Sequence, residues 1–461
     1  MAAGFVLVAT RRGIGLSPDS IEYLGVARNL LKGHGLTVPF GSVGEEPFAG
    51  APMTSFPPLY PVLLAVGGAG LVWARVLAVL CMAVTAGSVM LIARRYVDGA
   101  TAACVTALLL APDMMRVHAE AWSEPVLLAV VAVGALALLS HLDRPRPGTR
   151  FAVLAACALA PMARYAGVAF VVAAAVVLAK RRRWRDSLAA VGAGMVPLTA
   201  WLVYGAAAVT DPGSTGRTIA WHPPPWDALF DQTARTTGTW WFSGFGPSVG
   251  VAVIVLLALA VRVRWNDHLL LPLALAGSTV VLLLATWTLL DRTTVFDARL
   301  LVSTHLAVIV ALALLVPRRW QWDRQALALG AAAVLVALGG FRYTTRFPAS
   351  RSFQYASAAW VRSPTLKAAA GLSLGRPVYS NSPEIVWWTT GRSAELLPVK
   401  AGLRSGAPQP WRLRVSGLPA GSLLVFFDGA ARAYEPTPAD IESVRPLRLK
   451  QRLADGAIYE L

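Results

Sequence analysis

The sequence predicts an all-α polytopic membrane bundle of about eleven transmembrane helices with a small α/β domain at its C-terminal end. Three observations predict it. Hydrophobic residues fill 56% of the 461 positions and charged residues only 15%, whereas soluble domains carry roughly 25% charged residues. Mean hydropathy is +0.56. Apolar runs near the ~20 residues needed to cross a bilayer recur along the chain. Together these exclude an ordinary soluble enzyme, a disordered chain and a transmembrane β-barrel, whose strands are short and alternate. The net charge of +17 is not the signature of a nucleic-acid binder in so apolar a chain, and no nucleic-acid partner is expected.

The first ten residues, MAAGFVLVAT, are apolar but too short to span, and read as the end of a truncated first helix or as a mis-called start. Apolar runs then follow near 71–93, 99–112, 122–140, 151–162, 165–179, 188–206, 247–261, 268–290, 300–316 and 325–340. Cys81, Cys104 and Cys157 lie inside such runs and read as small core hydrophobes rather than a disulfide or metal framework. The loops 94–98, 141–150, 180–187, 262–267 and 317–324 are short and hold 15 Lys/Arg against 5 Asp/Glu. The other set, 11–58, 113–121, 163–164, 207–246 and 291–299, holds 10 against 11. By the positive-inside rule the first set faces the cytoplasm, KRRRWR at 180–185 serving as its densest anchor, and the longer, near-neutral set faces outward. The lipid bilayer is thus the first partner. The division expected is a transmembrane domain over 1–340, with outer loops 11–58 and 207–246, and an extracytoplasmic α/β domain over 341–461. In the latter, PVYS (377–380) and LLVFF (423–427) read as strands, and Thr437-Pro438 with Asp440 as a helix start.

The segment LSPDSIEYLGVARNLLKGHGL (16–36) is the most informative. Ser17 suits a cap, Pro18 the first helical position, and Asp19 the first turn. Ile21, Leu24, Ala27 and Leu31 keep helical spacing, and Gly33 and Gly35 stop the helix. This predicts an amphipathic helix on the outer membrane surface. Asp19, Glu22 and Tyr23 share one side of it. A carboxylate at a helix N-terminus is favoured as an anion, the state a general base or cation ligand requires; a first-turn acid that merely offsets the helix dipole is the plainer explanation. After a Gly/Pro-rich loop, FPPLYPVLLA (56–65) leads back into the bilayer, with Tyr60 between prolines.

Taken in order, these pieces resemble the GT-C membrane glycosyltransferases, namely the bacterial relatives of protein O-mannosyltransferases, the aminoarabinose transferases and the Rgt-type lipopolysaccharide sugar transferases. Asp19 opening a helix, ARNLLKGHG and PPLYPVLLA carry the likeness, followed by AWSEP (121–125), ARYAG (163–167), DARLL (297–301) and VYSNSPEIVWWTTGR (378–392). The resemblance implies a GT-C-type bundle, a polyprenyl-phosphate-linked sugar as donor, and an acceptor presented outside the cytoplasmic membrane. It maps the catalytic aspartate onto Asp19 and a second acid onto Glu124. Members often carry an acid directly after the aspartate, where this chain has Ser20; Glu22 is the substitute at hand.

Arg164 and Arg299 sit at outer membrane ends. A guanidinium there suits a lipid phosphate, which it grips in a bidentate fork, and would stabilise the charge growing on that phosphate as the sugar leaves. Snorkelling and, for Arg299, a local pair with Asp297 are the alternatives, and Arg75 is a weaker version of the same idea. Asp113, His118 and Glu120 share one loop, but H-x-E alone is thin evidence for metal. His34 and Tyr165 complete the candidates. Trp221, Trp226, Trp240 and Trp241, with Trp387 and Trp388, read as interfacial anchors before sugar platforms. No cofactor and no metal ligands are assigned, and a divalent cation is left open. No Walker loop, HExxH or GxSxG occurs. The expected activity is inverting transfer of a hexosyl or pentosyl group from a polyprenyl-phosphate donor to a glycan, lipid or protein hydroxyl, with Asp19 as general base. A transporter or flippase of lipid-linked sugars is the alternative, although the chain has few ionisable residues mid-span and no evident repeated halves.

Overall fold

The computed structural model describes residues 1–41, 49–208, 221–241, 265–291, 294, 296–315, 324–346, 355–373, 375–402 and 408–461. The expected span at 247–261 lies outside the described residues. Helices run in the order α1 (Ala2–Ala9), α2 (Pro18–Leu31), α3 (Leu59–Val66), α4 (Leu71–Ala93), α5 (Gly99–Ala107), α6 (Pro112–Ala119), α7 (Glu124–Asp143), α8 (Pro147–Ala163), α9 (Val168–Lys180), α10 (Trp184–Ala208), α11 (Trp226–Thr239), α12 (Leu270–Leu289), α13 (Val302–Leu315) and α14 (Arg324–Arg346). Among the described residues four helical spans, Leu71–Ala93, Glu124–Asp143, Trp184–Ala207 and Asp267–Leu289, are long and apolar enough to cross a membrane. The pair Gly99–Leu110 and Pro112–Ala119 passes the same test only when taken together and is bent by 60°, the geometry of a broken span or a re-entrant loop. Shorter apolar helices at Pro147–Ala163, Tyr165–Lys180, Val302–Leu315 and Gly330–Tyr343 pack among them.

Two expectations are corrected here. The stretch 113–121 is not a loop: Pro112 cannot extend the helix before it and instead takes the first position of α6, so the apolar run over 99–112 breaks at that proline. The loop expected over 207–246 likewise holds a helix, α11. The long helices pack closely through small side chains. A Cβ on Gly134 of α7 would come within 2.5 Å of Phe170 and 2.7 Å of Ala156, so only glycine permits that approach.

The C-terminal segment forms a five-stranded sheet of β1 (Val378–Ser380), β2 (Glu395–Leu396), β3 (Leu423–Phe427), β4 (Arg448–Leu453) and β5 (Gly456–Glu460). The order is β2-β1-β3-β5-β4, parallel between β1 and its two neighbours and antiparallel across β3, β5 and β4. Both strands read from the sequence are present. The helix expected at Thr437 is Pro438–Glu442, closed by a capping box between Thr437 and Asp440. Every residue of β3 is buried, which explains its unbroken apolar run.

This sheet unit seats on the first loop. The helix Pro383–Thr390 packs on α2 through Trp387, and Phe40 meets the Trp387 ring at 5.7 Å. Gly41 N–H donates to the Ala394 carbonyl at 3.0 Å, and Tyr355 N–H to the Leu16 carbonyl at 2.8 Å. The expectation that α2 lies as a surface helix with one wet face is therefore corrected. All eight residues from Ser20 to Ala27 are buried, because α3 and the C-terminal unit cover both sides, while Leu31, read into the apolar stripe, is 54% exposed.

Candidate active site

The site is assembled by a short backbone zipper. Gly15 N–H donates to the Ala119 carbonyl at 2.8 Å, and Ala121 N–H to the Gly15 carbonyl at 3.0 Å. Trp122 Nε1 then donates to Ser17 Oγ at 2.7 Å. These bonds lay the residues before α2 alongside those before α7, so the two helices start side by side. Ser17 and Ser20 close a capping box on α2, which holds Asp19 in the first turn. Glu124 is the first residue of α7 and is fully buried.

Two arginines join the acids. Asp297 Oδ1 accepts from the backbone N–H of Arg299 at 3.0 Å and of Leu300 at 2.9 Å. Asp297 thus shapes the turn before α13 and leaves the Arg299 guanidinium free of the local pair weighed above. That guanidinium donates through Nη2 to Asp19 Oδ2 at 2.5 Å and through Nε to Glu124 Oε1. It also lies 4.2 Å from the Trp122 ring centroid, a cation–π contact. Arg164, in the extended residue closing α8, reaches the same Glu124 Oε1 at 2.9 Å and Ser123 Oγ at 3.3 Å. The result is a chain Asp19–Arg299–Glu124–Arg164 drawn from four distant segments. Among the described residues Arg164 spends only Nη1, so its Nε and Nη2 donors remain for another acceptor.

Burial pushes the Asp19 carboxyl up, but the charge and hydrogen bond of Arg299, with Arg164 beyond, pull it below its ordinary value. Asp19 is therefore an anion, with a side chain about a quarter exposed (27%). Tyr23 stands one turn on. Its hydroxyl is 3.2 Å from Ser123 Oγ, and its ring packs on Phe56 at 4.7 Å and Tyr60 at 5.1 Å. Burial keeps that hydroxyl protonated.

The remaining candidates fall elsewhere. Glu22 is buried at 7% exposure on α2, whereas the ion pair of Asp19 runs to Arg299. His34 is exposed in the turn after α2, about 20 Å along the chain axis from Asp19 at 1.5 Å per residue. Tyr165 turns to the first loop, donating to the Thr54 carbonyl at 3.0 Å and accepting from Trp201 Nε1 at 3.2 Å. Arg75 pins α4 to α1 through Thr10 Oγ1 and the Leu7 carbonyl. His118 bonds the Met114 carbonyl at 2.8 Å, Glu120 lies 3.7 Å from Arg116, and Asp113 accepts from Thr239. Among the described residues no three His, Cys, Asp or Glu gather as metal ligands. Trp221 and Trp226 are exposed, as an anchor requires, but Trp240 and Trp241 are buried around His305, with ring centroids 4.6 and 4.8 Å away.

Sequence reasoning missed the roles of Trp122 and Ser123. Both lie inside the AWSEP motif, and a tryptophan and a serine directly before a membrane-end acid were the available signal. It also missed a buried cluster in the C-terminal unit. Tyr355 donates to Glu384 Oε1, and Arg432 stands 3.7 Å from the same oxygen and 3.1 Å from Glu435. Nothing local in the sequence joins positions 355, 384 and 432; the sheet does.

Residues 52–204 match the family model described as dolichyl-phosphate-mannose-protein mannosyltransferase. No curated protein sequence matches the chain. Among solved structures, ArnT from Cupriavidus metallidurans bound to undecaprenyl phosphate superposes with a TM-score of 0.65 at 13% identity, over 99% of this chain and 96% of that one. The same protein in its apo state gives 0.50 at 16% identity, over 99% and 95%. The Archaeoglobus fulgidus oligosaccharyltransferase, tethered with an acceptor peptide containing the NVT sequon, gives 0.52 at 11% identity, over 85% of this chain and 62% of that one. The chain accordingly has the GT-C fold of membrane glycosyltransferases, the architecture its motifs resemble.

Proposed function

We propose that this protein is a multi-pass membrane glycosyltransferase that moves a sugar from a polyprenyl-phosphate donor to an acceptor hydroxyl outside the cytoplasmic membrane, with inversion at the anomeric carbon. The observation that carries the reading is the convergence of Asp19, Glu124, Arg164 and Arg299 in one ion chain. The undecaprenyl phosphate bound to ArnT supports a lipid-phosphate donor here, and the acceptor peptide on the oligosaccharyltransferase supports a separate acceptor.

Asp19 is the general base and takes the proton of the attacking hydroxyl, worth typically 10²–10⁴-fold. Arg164 and Arg299 hold the donor phosphate and stabilise the charge it gains as the sugar–oxygen bond breaks. Glu124, joined to both guanidiniums through one oxygen, positions them. In the free protein Arg299 saturates Asp19 and makes it a weak base. A donor phosphate competing for Arg299 loosens that pair and raises the basicity of Asp19 when substrate is present. Tyr23 and Tyr60 form the aromatic wall beside it. The division into a membrane part over 1–340 and an extracytoplasmic unit over 341–461 belongs to the same proposal, as does the count of eleven spans. The count combines the four long spans, the bent pair, the four shorter apolar helices, α1 and the run at 247–261.

The test is transfer of labelled sugar from a polyprenyl-phosphate donor by the purified protein. Turnover that Asp19→Asn abolishes supports the reading. Movement of donor across vesicles without transfer would replace it with a flippase.

A further inference from the structure

Helix α7 carries Glu124 at one end and Asp143 at the other, and twenty residues at 1.5 Å each put about 30 Å between them, one hydrocarbon thickness. At the Asp143 end a cavity of about 570 Å³ opens between the C-terminal ends of α4 and α7 and the start of α8. Arg95, Arg144 and Arg146 line it against one carboxylate, Asp143. Arg95 donates to Ser140 Oγ at 2.5 Å and stands 3.8 Å from Asp143. The exposed guanidiniums of Arg144 and Arg146 have no hydrogen bond or ion pair among the described residues. Tyr96 also lines the cavity, and its buried hydroxyl has no hydrogen-bond partner among the described residues, a cost that an acceptor oxygen brought within its reach removes. The first turn of the 17-residue α8 sits at its rim, where the helix dipole favours an anion.

An apolar groove of about 380 Å³ runs along the same three helices, between Val84 of α4, Val130 and Val133 of α7, and Phe151, Ala155 and Leu159 of α8. Phe151 is 74% exposed. From Arg146 to Leu159 α8 descends about 20 Å, a little more than one leaflet of a ~30 Å hydrocarbon core. Simple arginine anchoring of loops needs neither a cavity nor a groove beneath it.

We propose that this is a binding site for an anionic phospholipid of the leaflet opposite the Asp19 site. Its phosphate lies among Arg95, Arg144 and Arg146, the Tyr96 hydroxyl donates to a phosphate oxygen, and one acyl chain fills the groove. The site is separate from glycosyl transfer, and its test reads binding alone.

Native mass spectrometry and thermal unfolding of the purified full chain compare a phosphoglycerol lipid, a phosphocholine lipid with the same chains, and inorganic phosphate. The phosphoglycerol lipid is expected to stay bound and raise the Tm, and the other two are not. Arg144→Gln with Arg146→Gln weakens its binding roughly thirtyfold, the factor expected for two arginine contacts with an anionic surface. Ala155→Trp, or Val84→Trp on the opposite wall should the first misfold, fills the groove and lowers lipid retention. Equal retention by the double arginine variant, or equal binding of the phosphocholine lipid, overturns the proposal. A Tm rise with inorganic phosphate that the groove variants leave unchanged overturns the lipid in favour of a free phosphate.

Discussion

Asp19 and Arg299, 280 positions apart, meet in a 2.5 Å ion pair at the start of two helices. The pair fixes the charge of Asp19 and, in the proposed mechanism, marks where a donor phosphate enters the reaction. Removing the base removes its 10²–10⁴-fold contribution. Asp19→Asn, which keeps the shape and a hydrogen-bond acceptor, is expected to lose transfer by at least about a hundredfold while membrane insertion persists and thermal unfolding loses only the contribution of the Arg299 pair. Wild-type turnover by that variant takes the base assignment away from Asp19.

The same pair sets a pH dependence. The Asp19 carboxyl is depressed by Arg299, against the upward push of burial. Its contribution to stability is therefore present above the unfolded carboxylate value and is lost as pH falls through the lower folded one. In the free protein Asp19 is therefore ionised at neutral pH. Arg299→Gln removes the main cause of the depression, so the acid limb of kcat/KM moves to higher pH, beyond the drop in rate from the lost phosphate contact. An acid limb that does not move shows that a different group sets it.

Glu124 is wholly buried, with Arg164 and Arg299 on one oxygen. Removing one partner of such a group leaves buried charge uncompensated, at a typical cost of 3–5 kcal/mol. Glu124→Gln is expected to cost about 3 kcal/mol in unfolding and to raise the donor KM, because the two guanidiniums lose their alignment. A fall in kcat with donor KM unchanged would instead make Glu124 a participant in the chemistry.

Much of this site was legible because its residues sit at chain punctuation. Asp19 follows a serine and a proline, Glu124 a serine, and Arg164 closes an apolar run; each is a helix end that sequence marks through capping chemistry. The strands at 378–380 and 423–427 were legible for the same reason, being short apolar runs between turn residues. What joins these ends was not legible. The Gly15–Ala121 zipper is backbone bonding without side-chain signature, and the docking of Trp387 on α2 depends on tertiary packing. The amphipathic pattern of α2 suggested a wet face because nothing in residues 16–36 announces that a unit 350 positions later covers it. Pro112 was the readable clue to the break in the run over 99–112, and the apolar residues around it concealed that break.

The cover over α2 can be loosened at one atom. A Cβ on Gly25 would lie 2.7 Å from Pro39 Cγ and 3.3 Å from the Trp387 ring. Both neighbours are packed, Trp387 with Phe40 and under the Arg28 guanidinium at 5.6 Å. Overpacking of this kind costs about 1–3 kcal/mol. Gly25→Ala should lower the unfolding free energy by that amount and increase proteolytic nicking around residues 383–395, with a smaller loss of transfer than any change at Asp19. Unchanged protease sensitivity would show that the C-terminal unit is held on α2 by other contacts.

The C-terminal unit should also respond to pH through Glu435. Its carboxylate accepts from the Arg432 backbone N–H at 3.0 Å and pairs with the guanidinium at 3.1 Å. Burial nevertheless pushes its pKa up to about 7, the attraction of Arg432 only partly offsetting it and the neighbouring Glu384 adding to the rise. A carboxyl raised in the folded state contributes stability that is complete below its unfolded value, near 4.5, and disappears as pH climbs through about 7. Asp440, pulled down to about 2 chiefly by its hydrogen bond from Lys400, does not titrate in that window. Thermal unfolding of the intact protein at pH 4.5 and 7.5, with hydrogen exchange over 423–461 reporting on the sheet, should show wild type losing stability as pH rises. Glu435→Gln, which cannot ionise, should flatten that loss. A decline of the same size in the variant assigns the titration to Glu384 beside it, whose carboxyl burial raises as well.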